Sequence, residues 1–129
     1  MEKRSINPWT WQDERSYVQA VEVKQVNSTL YCSGQAAIDA DGRSSDAPMG
    51  QQLQEALANL EQLIAKAGST GSGIVRLNVY TTSTEELWPH FNILQTWLAQ
   101  HQVEQALTVL EVKGWFETLK VELEARVVK

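Results

Sequence analysis

The sequence has a single cysteine, Cys32, and only two histidines, His90 and His101. One cysteine cannot form an intramolecular disulfide, so the composition favours a reducing compartment. Cys32 lies in an apolar stretch, which predicts a small core residue and not a nucleophile. The two histidines lie eleven residues apart in one amphipathic segment and have no cysteine or carboxylate cluster nearby, so the pattern predicts no metal site.

The sequence also lacks a long apolar run and an excess of positive charge. No segment approaches the roughly 20 apolar residues needed to span a bilayer, and the first residues contain no apolar signal segment. We therefore expect a cytoplasmic protein that does not bind a membrane. The chain has 11 Lys and Arg residues against 16 Asp and Glu residues, a formal net charge of −5. Nucleic-acid binding is not expected, because it needs clustered basic residues and these are scattered.

The chain does contain enough apolar surface for one domain. Its 129 residues are 43% hydrophobic and 21% charged, near the average for globular proteins. A chain of this size buries roughly two-thirds of its unfolded surface around one core. We therefore predict a single domain over residues 1–129.

Hydrophobic periodicity predicts five strands and two helices in the order ββαβαββ. The predicted strands are Tyr17–Val23, Thr29–Ser33, Ile74–Tyr80, Ala106–Val112 and Thr118–Val128. The predicted helices run from Pro48 to Ala67 and from Ser83 or Trp88 to Leu98. The start of the second helix is open because Ser83 begins a capping box but Pro89 lies beyond the first turn. The first two strands and the last two strands are each predicted to form a hairpin.

This order predicts an α+β fold of two layers, in which both helices cover one face of a mostly antiparallel sheet. The strand Ala106–Val112 is largely apolar on both faces, so the face without helices also needs cover. Another subunit would supply that cover, and we expect an oligomer. A monomer with one solvated sheet face is the alternative.

The order and spacing of several motifs resemble the RidA or YjgF-like family, which is also labelled endoribonuclease L-PSP. Tyr17–Ala20 and Tyr31–Gln35 resemble the family's Tyr-Ser-Gln-Ala and Ser-Gly-Gln motifs. The resemblance continues through Asn59–Leu60, Val75–Tyr80, Phe91–Asn92, Thr108–Val112 and Val121–Ala125. Each motif alone is weak, but together they cover nearly the whole chain.

The resemblance implies a chorismate-mutase-like homotrimer with three clefts between neighbouring subunits. Active members of the family hydrolyse reactive imines and enamines in these clefts to 2-oxo acids and ammonia, without a metal or an organic cofactor. An arginine binds the substrate carboxylate, and a glutamate positions or activates water. The expected partners are therefore further copies of this chain and a small, amino-acid-derived ligand.

Matching the motifs residue by residue gives the candidate site that the resemblance implies. Glu122 matches the catalytic glutamate, and the substrate-binding positions are Tyr17, Ser33, Gly34, Gln35, Leu107 and Thr108. The family's Pro-Ala-Arg-Thr segment aligns with Gln105–Thr108, which puts Leu107 where the carboxylate-binding arginine belongs. Val18 likewise replaces the serine that follows the tyrosine.

The leucine at position 107 decides which function the sequence predicts. Leucine offers no hydrogen-bond donor to a carboxylate, whereas arginine offers a planar fork of donors. The sequence therefore predicts a protein that binds a small metabolite without standard imino-acid deaminase activity. The alternative is an active imine or enamine deaminase that uses another cation, such as Lys113 or Arg76. The endoribonuclease activity has slight support in an acidic chain without a basic groove.

The predicted closing hairpin would make Leu107 and Glu122 a facing pair. The two residues lie equally far from the centre of the connection, between Gly114 and Trp115, so their Cβ atoms would be about 5 Å apart. A glutamate that faces leucine is harder to ionise, so we expect the pKa of Glu122 to be raised. The alternative is that Glu122 points to water with the other polar residues of its strand.

Five tryptophans are many for a chain of this length. Trp9 and Trp11 precede the first predicted strand, where the family's amino-terminal segment often approaches the cleft. We expect at least one tryptophan to line or cover the cleft. Trp97 and Trp115 are expected to be packing residues.

Overall fold

The computed structural model describes all residues, 1–129, and has the predicted α+β fold, with helices against sheets that are mostly antiparallel. The strands are β1 (Glu2–Ile6), β2 (Ala20–Lys24), β3 (Thr29–Tyr31), β4 (Ile74–Thr81), β5 (Ala106–Glu111) and β6 (Val121–Val128). The α-helices are α1 (Met49–Lys66), α2 (Thr84–Leu87) and α3 (Phe91–Gln100). Short 3-10 turns lie at Asp13–Arg15, Gly71–Gly73 and Trp88–His90.

The long helix α1 lies where the sequence predicts it. Pro48, in an extended conformation, is the residue just before its first turn, and Gly68, with a φ of 74°, follows its end in the left-handed conformation that favours glycine. Its buried face carries Leu53 and Leu60, both fully buried, in a core of 18 residues shared with α3 and the sheet. No helix of the protein combines the length and the apolar character that a membrane crossing requires.

The second predicted helix is divided at its proline. The Ser83 hydroxyl accepts a hydrogen bond from the Glu86 amide at 3.1 Å. The Ser83 amide donates to Thr81 Oγ1 at 3.2 Å and not to the Glu86 side chain, so only the first half of the predicted capping box is present. It starts only the one-turn helix α2, because Pro89 lies in the 3-10 turn that follows. The longer helix α3 begins after this turn, at Phe91.

The prediction of a closing hairpin is wrong. The four-stranded sheet has the order β3-β6-β4-β5, so β4 lies between the last two strands. The helices α2 and α3 form a crossover that brings β5 alongside β4 in parallel. Residues 112–120 then carry the chain across β4, and β6 pairs antiparallel with its other edge. The sequence analysis treated the residues between Val112 and Thr118 as the short connection of a hairpin.

The prediction of an opening hairpin is also wrong. β2 pairs antiparallel with β1, an amino-terminal strand that the sequence analysis missed, and the two form a separate sheet. β3 pairs instead with β6. β2 starts only at Ala20, because the residues before it follow the edge of β5, where Val18 forms an isolated parallel bridge with Ala106.

The two faces of the four-stranded sheet differ in chemistry. The face under α1 and α3 is apolar and includes Leu77 and Leu123, with Leu107 and Val109 of β5 packed against the same core. The opposite face, which we call the open face, has no helix over it. Its central side chains are Arg76, Asn78, Tyr80, Glu122 and Glu124. The open face is therefore more polar than the pattern of β5 alone indicated.

Candidate functional site

Tyr17 and Leu107 lie together at a cavity of about 400 Å³ beside the edge strand β5. We call this space the Tyr17 cavity. It is lined by Glu14, Arg15, Tyr17, Trp88, Phe91, Gln95, Leu107 and Val109. The cavity therefore combines an apolar floor from β5 with aromatic walls and a few polar groups.

A hydrogen-bonded segment beside β5 positions Tyr17. Ser16 has a φ of 63°, in the left-handed region, and its carbonyl accepts a hydrogen bond from Gln105 Nε2 at 3.0 Å. The Val18 amide donates to the carbonyl of Gln105 at 3.1 Å. Tyr17 is thus held between two anchored neighbours, and Gln105, whose side chain is fully buried, supplies both anchors.

Aromatic side chains surround the Tyr17 cavity. Trp11 packs edge-on against Tyr17, with ring centroids 6.3 Å apart, and stacks on Trp9 at 6.2 Å. Trp88 lines the cavity itself and meets Phe91 edge-on at 5.1 Å. The tryptophan that lines this cavity therefore comes from the turn before α3. The expectation that a tryptophan lines or covers the cleft between subunits stays a prediction.

Arg15 is the cation of this cavity, and the sequence analysis did not identify it. Its guanidinium carbon lies 4.9 Å from the centre of the Trp11 ring. Glu14 is its neighbour, and the Glu14 carbonyl accepts a hydrogen bond from Gln95 Nε2 at 3.3 Å. An arginine four residues after Trp11, in a segment rich in aromatic residues, was the available signal.

Ser33, Gly34 and Gln35 lie beside β6, close to Glu122. Gln35 forms an isolated bridge with Leu123, with backbone hydrogen bonds of 2.7 and 2.9 Å. The Glu122 carboxylate lies against Gly34 so closely that a Cβ at position 34 would overlap it. Gln35 Nε2 also donates to the Ser33 carbonyl at 3.1 Å. Gly34 and Gln35 line a second cavity, of about 720 Å³, beside α1.

Two glutamates of the open face have pKa values that move in opposite directions. Burial, reinforced by the nearby charge of Glu124, raises the pKa of Glu122. Hydrogen bonds from Asn78 at 2.9 Å and from Tyr80 at 3.0 Å lower the pKa of Glu124. The bond to Glu124 in turn raises the pKa of Tyr80. The predicted direction for Glu122 agrees with the structure, but the cause is burial and a neighbouring carboxylate.

The structure contradicts the predicted pairing of Leu107 with Glu122. Leu107 is in register with Leu77 of β4, on the face under the helices. Glu122 is in register with Tyr80 of the same strand, on the open face. The two side chains are thus separated by a strand and by the sheet itself, because β4 occupies the place that the hairpin prediction gave to β6.

Thr108 and the suggested replacement cations lie outside the Tyr17 cavity. Thr108 projects from the face opposite to Leu107, and its hydroxyl accepts a hydrogen bond from Arg76 Nη2 at 2.6 Å. Lys113 follows the end of β5 and does not line the cavity. Within one chain, therefore, neither Arg76 nor Lys113 joins Leu107 in lining this cavity.

The remaining residues singled out by sequence divide between core and surface. Cys32 is buried in the main core, as predicted, and burial raises the pKa of its thiol. Trp97 is also a packing residue, 8% exposed, but Trp115 is 37% exposed and does not belong to the core. No group of three His, Cys, Asp or Glu side chains lies close enough to hold a metal ion.

Known proteins resemble this chain in sequence and in fold. The family described as Endoribonuclease L-PSP matches residues 11–129. Protein mmf1, mitochondrial, of Schizosaccharomyces pombe is 30% identical over 84 residues, which are 65% of this chain and only 49% of that protein. The chain thus matches about half the length of this curated relative.

Two solved structures illustrate the similarity of fold. The structure of YyfB from Yersinia pestis, a protein of unknown function of the conserved Rid family, has a TM-score of 0.81 and 26% identity, with both chains covered completely. E. coli TdcF with bound serine has a TM-score of 0.72 and 21% identity, with 97% of this chain and 91% of TdcF covered. At that identity the likeness to TdcF is one of fold.

Proposed function

Because the chain belongs to the endoribonuclease L-PSP family, which is also called the RidA or YjgF family, we propose that it is a homotrimer that binds a small metabolite between neighbouring subunits. In this proposal Tyr17 and Leu107 of one subunit face Ser33, Gly34, Gln35 and Glu122 of the next. The proposed activity is ligand binding without standard imino-acid deamination.

The observation that carries this proposal is the division of the candidate site by the sheet. Tyr17 and Leu107 lie at the edge of β5 on the helix side, whereas Glu122 lies on the open face of β6. Side chains on opposite faces of a sheet cannot contact one ligand within a single chain. A site that uses both groups therefore needs two chains, and the uncovered open face offers a surface for the second.

The chemistry of position 107 supports binding without deamination. A leucine cannot pair with a carboxylate, and an unpaired carboxylate in a partly dry cleft is destabilised by several kcal/mol. Glu122, with its raised pKa, could still hold a proton and donate a hydrogen bond to the ligand. The serine bound to TdcF supports a ligand of that size, which this chain would have to hold without a cation at position 107.

Substitution of Leu107 tests the function. We expect wild type to hydrolyse freshly generated 2-iminobutanoate no faster than buffer, and Leu107→Arg to hydrolyse it measurably and to bind 2-oxobutanoate more tightly. Leu107→Met is the matched control, because it keeps an apolar side chain of similar volume. Efficient hydrolysis by wild type with no gain in Leu107→Arg would overturn the proposal.

Sedimentation equilibrium tests the assembly. A homotrimer should give three times the mass of the 14.5 kDa chain at concentrations of about one micromolar. A purely monomeric species would remove the proposed cleft.

One observation favours the second candidate function, an active imine or enamine deaminase that uses another cation. Arg15 lines the Tyr17 cavity beside Leu107, which neither Arg76 nor Lys113 does. Deamination adds water across the C=N bond and releases ammonia, leaving a 2-oxo acid. Wild-type turnover of 2-iminobutanoate that is lost in Arg15→Gln would establish this alternative.

The cytoplasm is the location that we propose. The single buried cysteine is compatible with a reducing compartment. The curated relative is described as mitochondrial, so imaging of a tagged full-length protein is the direct test.

A further inference from the structure

We propose that Arg15 gives the Tyr17 cavity a preference for carboxylic acids with an aromatic or branched apolar body. This inference rests on the proposed ligand-binding function and names the chemical class of the ligand. Two neighbouring features of the cavity support it: a cation with N–H donors that no other residue uses, and an apolar floor.

Arg15 is the single cation that lines the cavity, and its exposed guanidinium has no ion-pair or hydrogen-bond partner within the chain. It forms no ion pair, not even with Glu14 beside it, and its side chain donates no hydrogen bond to the protein. Stacking on Trp11 uses one flat side of the guanidinium and leaves its in-plane N–H donors unused. Those donors match the two oxygens of a carboxylate.

The floor of the cavity is apolar, and one of its walls is aromatic. Leu107 and Val109 project from β5, and the rings of Trp88 and Phe91 stand beside them. A ligand with a flat or branched hydrocarbon body would remove these surfaces from water, which favours binding. A small acid such as propanoate could reach Arg15 but would leave the floor uncovered.

Glu14 has the opposite charge to Arg15, so its removal should change the affinity for an acid in the opposite direction. Glu14 lines the same cavity, and its negative charge repels an anion, so neutralising it should strengthen acid binding. Neutralising Arg15 should weaken acid binding. A neutral ligand of the same shape should respond little to either substitution.

The experiment is a calorimetric comparison of three probes: 3-phenylpropanoate, its neutral amide 3-phenylpropanamide, and propanoate. For wild type we expect 3-phenylpropanoate to bind at least about tenfold more tightly than either other probe. Arg15→Gln should reduce its affinity to that of the amide, and Glu14→Gln should increase it. Arg43→Gln is the matched control, since Arg43 is an exposed arginine on a different loop.

Equal affinity for the acid and the amide, or an unchanged affinity in Arg15→Gln, would overturn the inference. A trimer that binds none of the probes would also overturn it, while leaving the proposed assembly intact. Arg15-dependent binding of 3-phenylpropanoate by a monomer would support the inference and refute the proposed trimer. Absence of both binding and trimer would reject the two together.

Discussion

Glu122 and Glu124 lie two residues apart on the same face of β6, yet their protonation should differ. Glu124 accepts two hydrogen bonds that favour its charged form, whereas Glu122 is partly buried beside that charge and accepts none. Environments that move two pKa values apart distinguish a group that stays ionised from one that can carry a proton. Glu122 is therefore the carboxyl group of this face that is suited to proton transfer.

Glu122→Gln should increase the stability of the folded protein at neutral pH. The folded-state pKa of Glu122 is raised above its unfolded value, so its charged form destabilises the fold at a pH above that raised pKa. The destabilisation disappears as the pH falls below the unfolded pKa. We expect a gain of less than about 1 kcal/mol near pH 7.5, since the side chain is partly exposed, and almost none near about pH 3.5. Urea unfolding at both pH values measures it.

Glu124→Gln is the control for that experiment and should have the opposite sign. The folded-state pKa of Glu124 is lowered, so its charge stabilises the fold above the unfolded pKa and the effect is lost as the pH falls through the folded pKa. Removal of the charge weakens the bonds from Asn78 and Tyr80. Equal effects of the two substitutions at neutral pH would contradict the assigned pKa directions.

Gly34→Ala should move the Glu122 carboxylate without unfolding the protein. The new Cβ would overlap the end of a flexible side chain, which can rotate away, so we expect a loss below about 1 kcal/mol. The pKa of Glu122 should then fall towards its ordinary value as the carboxylate reaches water. NMR titration measures this change.

Gly73→Ala serves as the comparison for Gly34→Ala. There the added Cβ would overlap the main-chain carbonyl of Val128, which β6 holds in place, and we expect a loss of about 2 kcal/mol. An unchanged pKa of Glu122 in Gly34→Ala would show that the carboxylate does not depend on this close approach.

At the level of single residues, the motifs led to residues that lie close together in two groups, but not to the arrangement of these groups. Tyr17 and Leu107 share a cavity, and Gly34 adjoins Glu122, while their role in binding a ligand stays a prediction. Arg15 was missed because its place depends on the fold of the amino-terminal segment, which has no periodic pattern. No local sequence rule predicts that Arg15 stacks on Trp11.

The buried side-chain amide of Gln105 is one of the attachments that hold Ser16–Val18 to β5. Gln105→Ala would remove the hydrogen bond to the Ser16 carbonyl and leave a cavity, so we expect a loss of about 2 kcal/mol and weaker ligand binding. Gln100→Ala, at an exposed position at the end of α3, should change neither property. Urea unfolding and calorimetry provide the two measurements. Unchanged ligand affinity in Gln105→Ala would show that Tyr17 is held by other contacts.

At the level of elements, the sequence predicted the positions of helices and strands well but the pairing of strands poorly. α1 and β4 lie close to their predicted bounds because their periodicity is clear and their ends carry glycine or proline. The final pairing was wrong because periodicity assigns faces to a strand and does not choose its neighbours. The order β4, helix, β5 was itself the signal for a parallel crossover.

For the whole molecule, mixing subunits tests whether the site is shared. Leu107→Arg/Glu122→Gln should be inactive alone, as should wild type. Trimers reassembled from both should hydrolyse 2-iminobutanoate, because a wild-type Glu122 would face the arginine of a neighbouring subunit. If Leu107→Arg is active but the mixture is not, both residues of each working site belong to one chain.

The position of β6 in the middle of the sheet also has a consequence for biosynthesis. Every strand that β6 joins is translated before it, so β3 and β4 leave the ribosome without the partner that connects them. Until Val121–Val128 emerges, the nascent chain can form the β4–β5 pair with its helices but cannot close the sheet. The exposed edges of β3 and β4 are open to pairing with other chains during that interval, which makes this the stage at which chaperones would matter most.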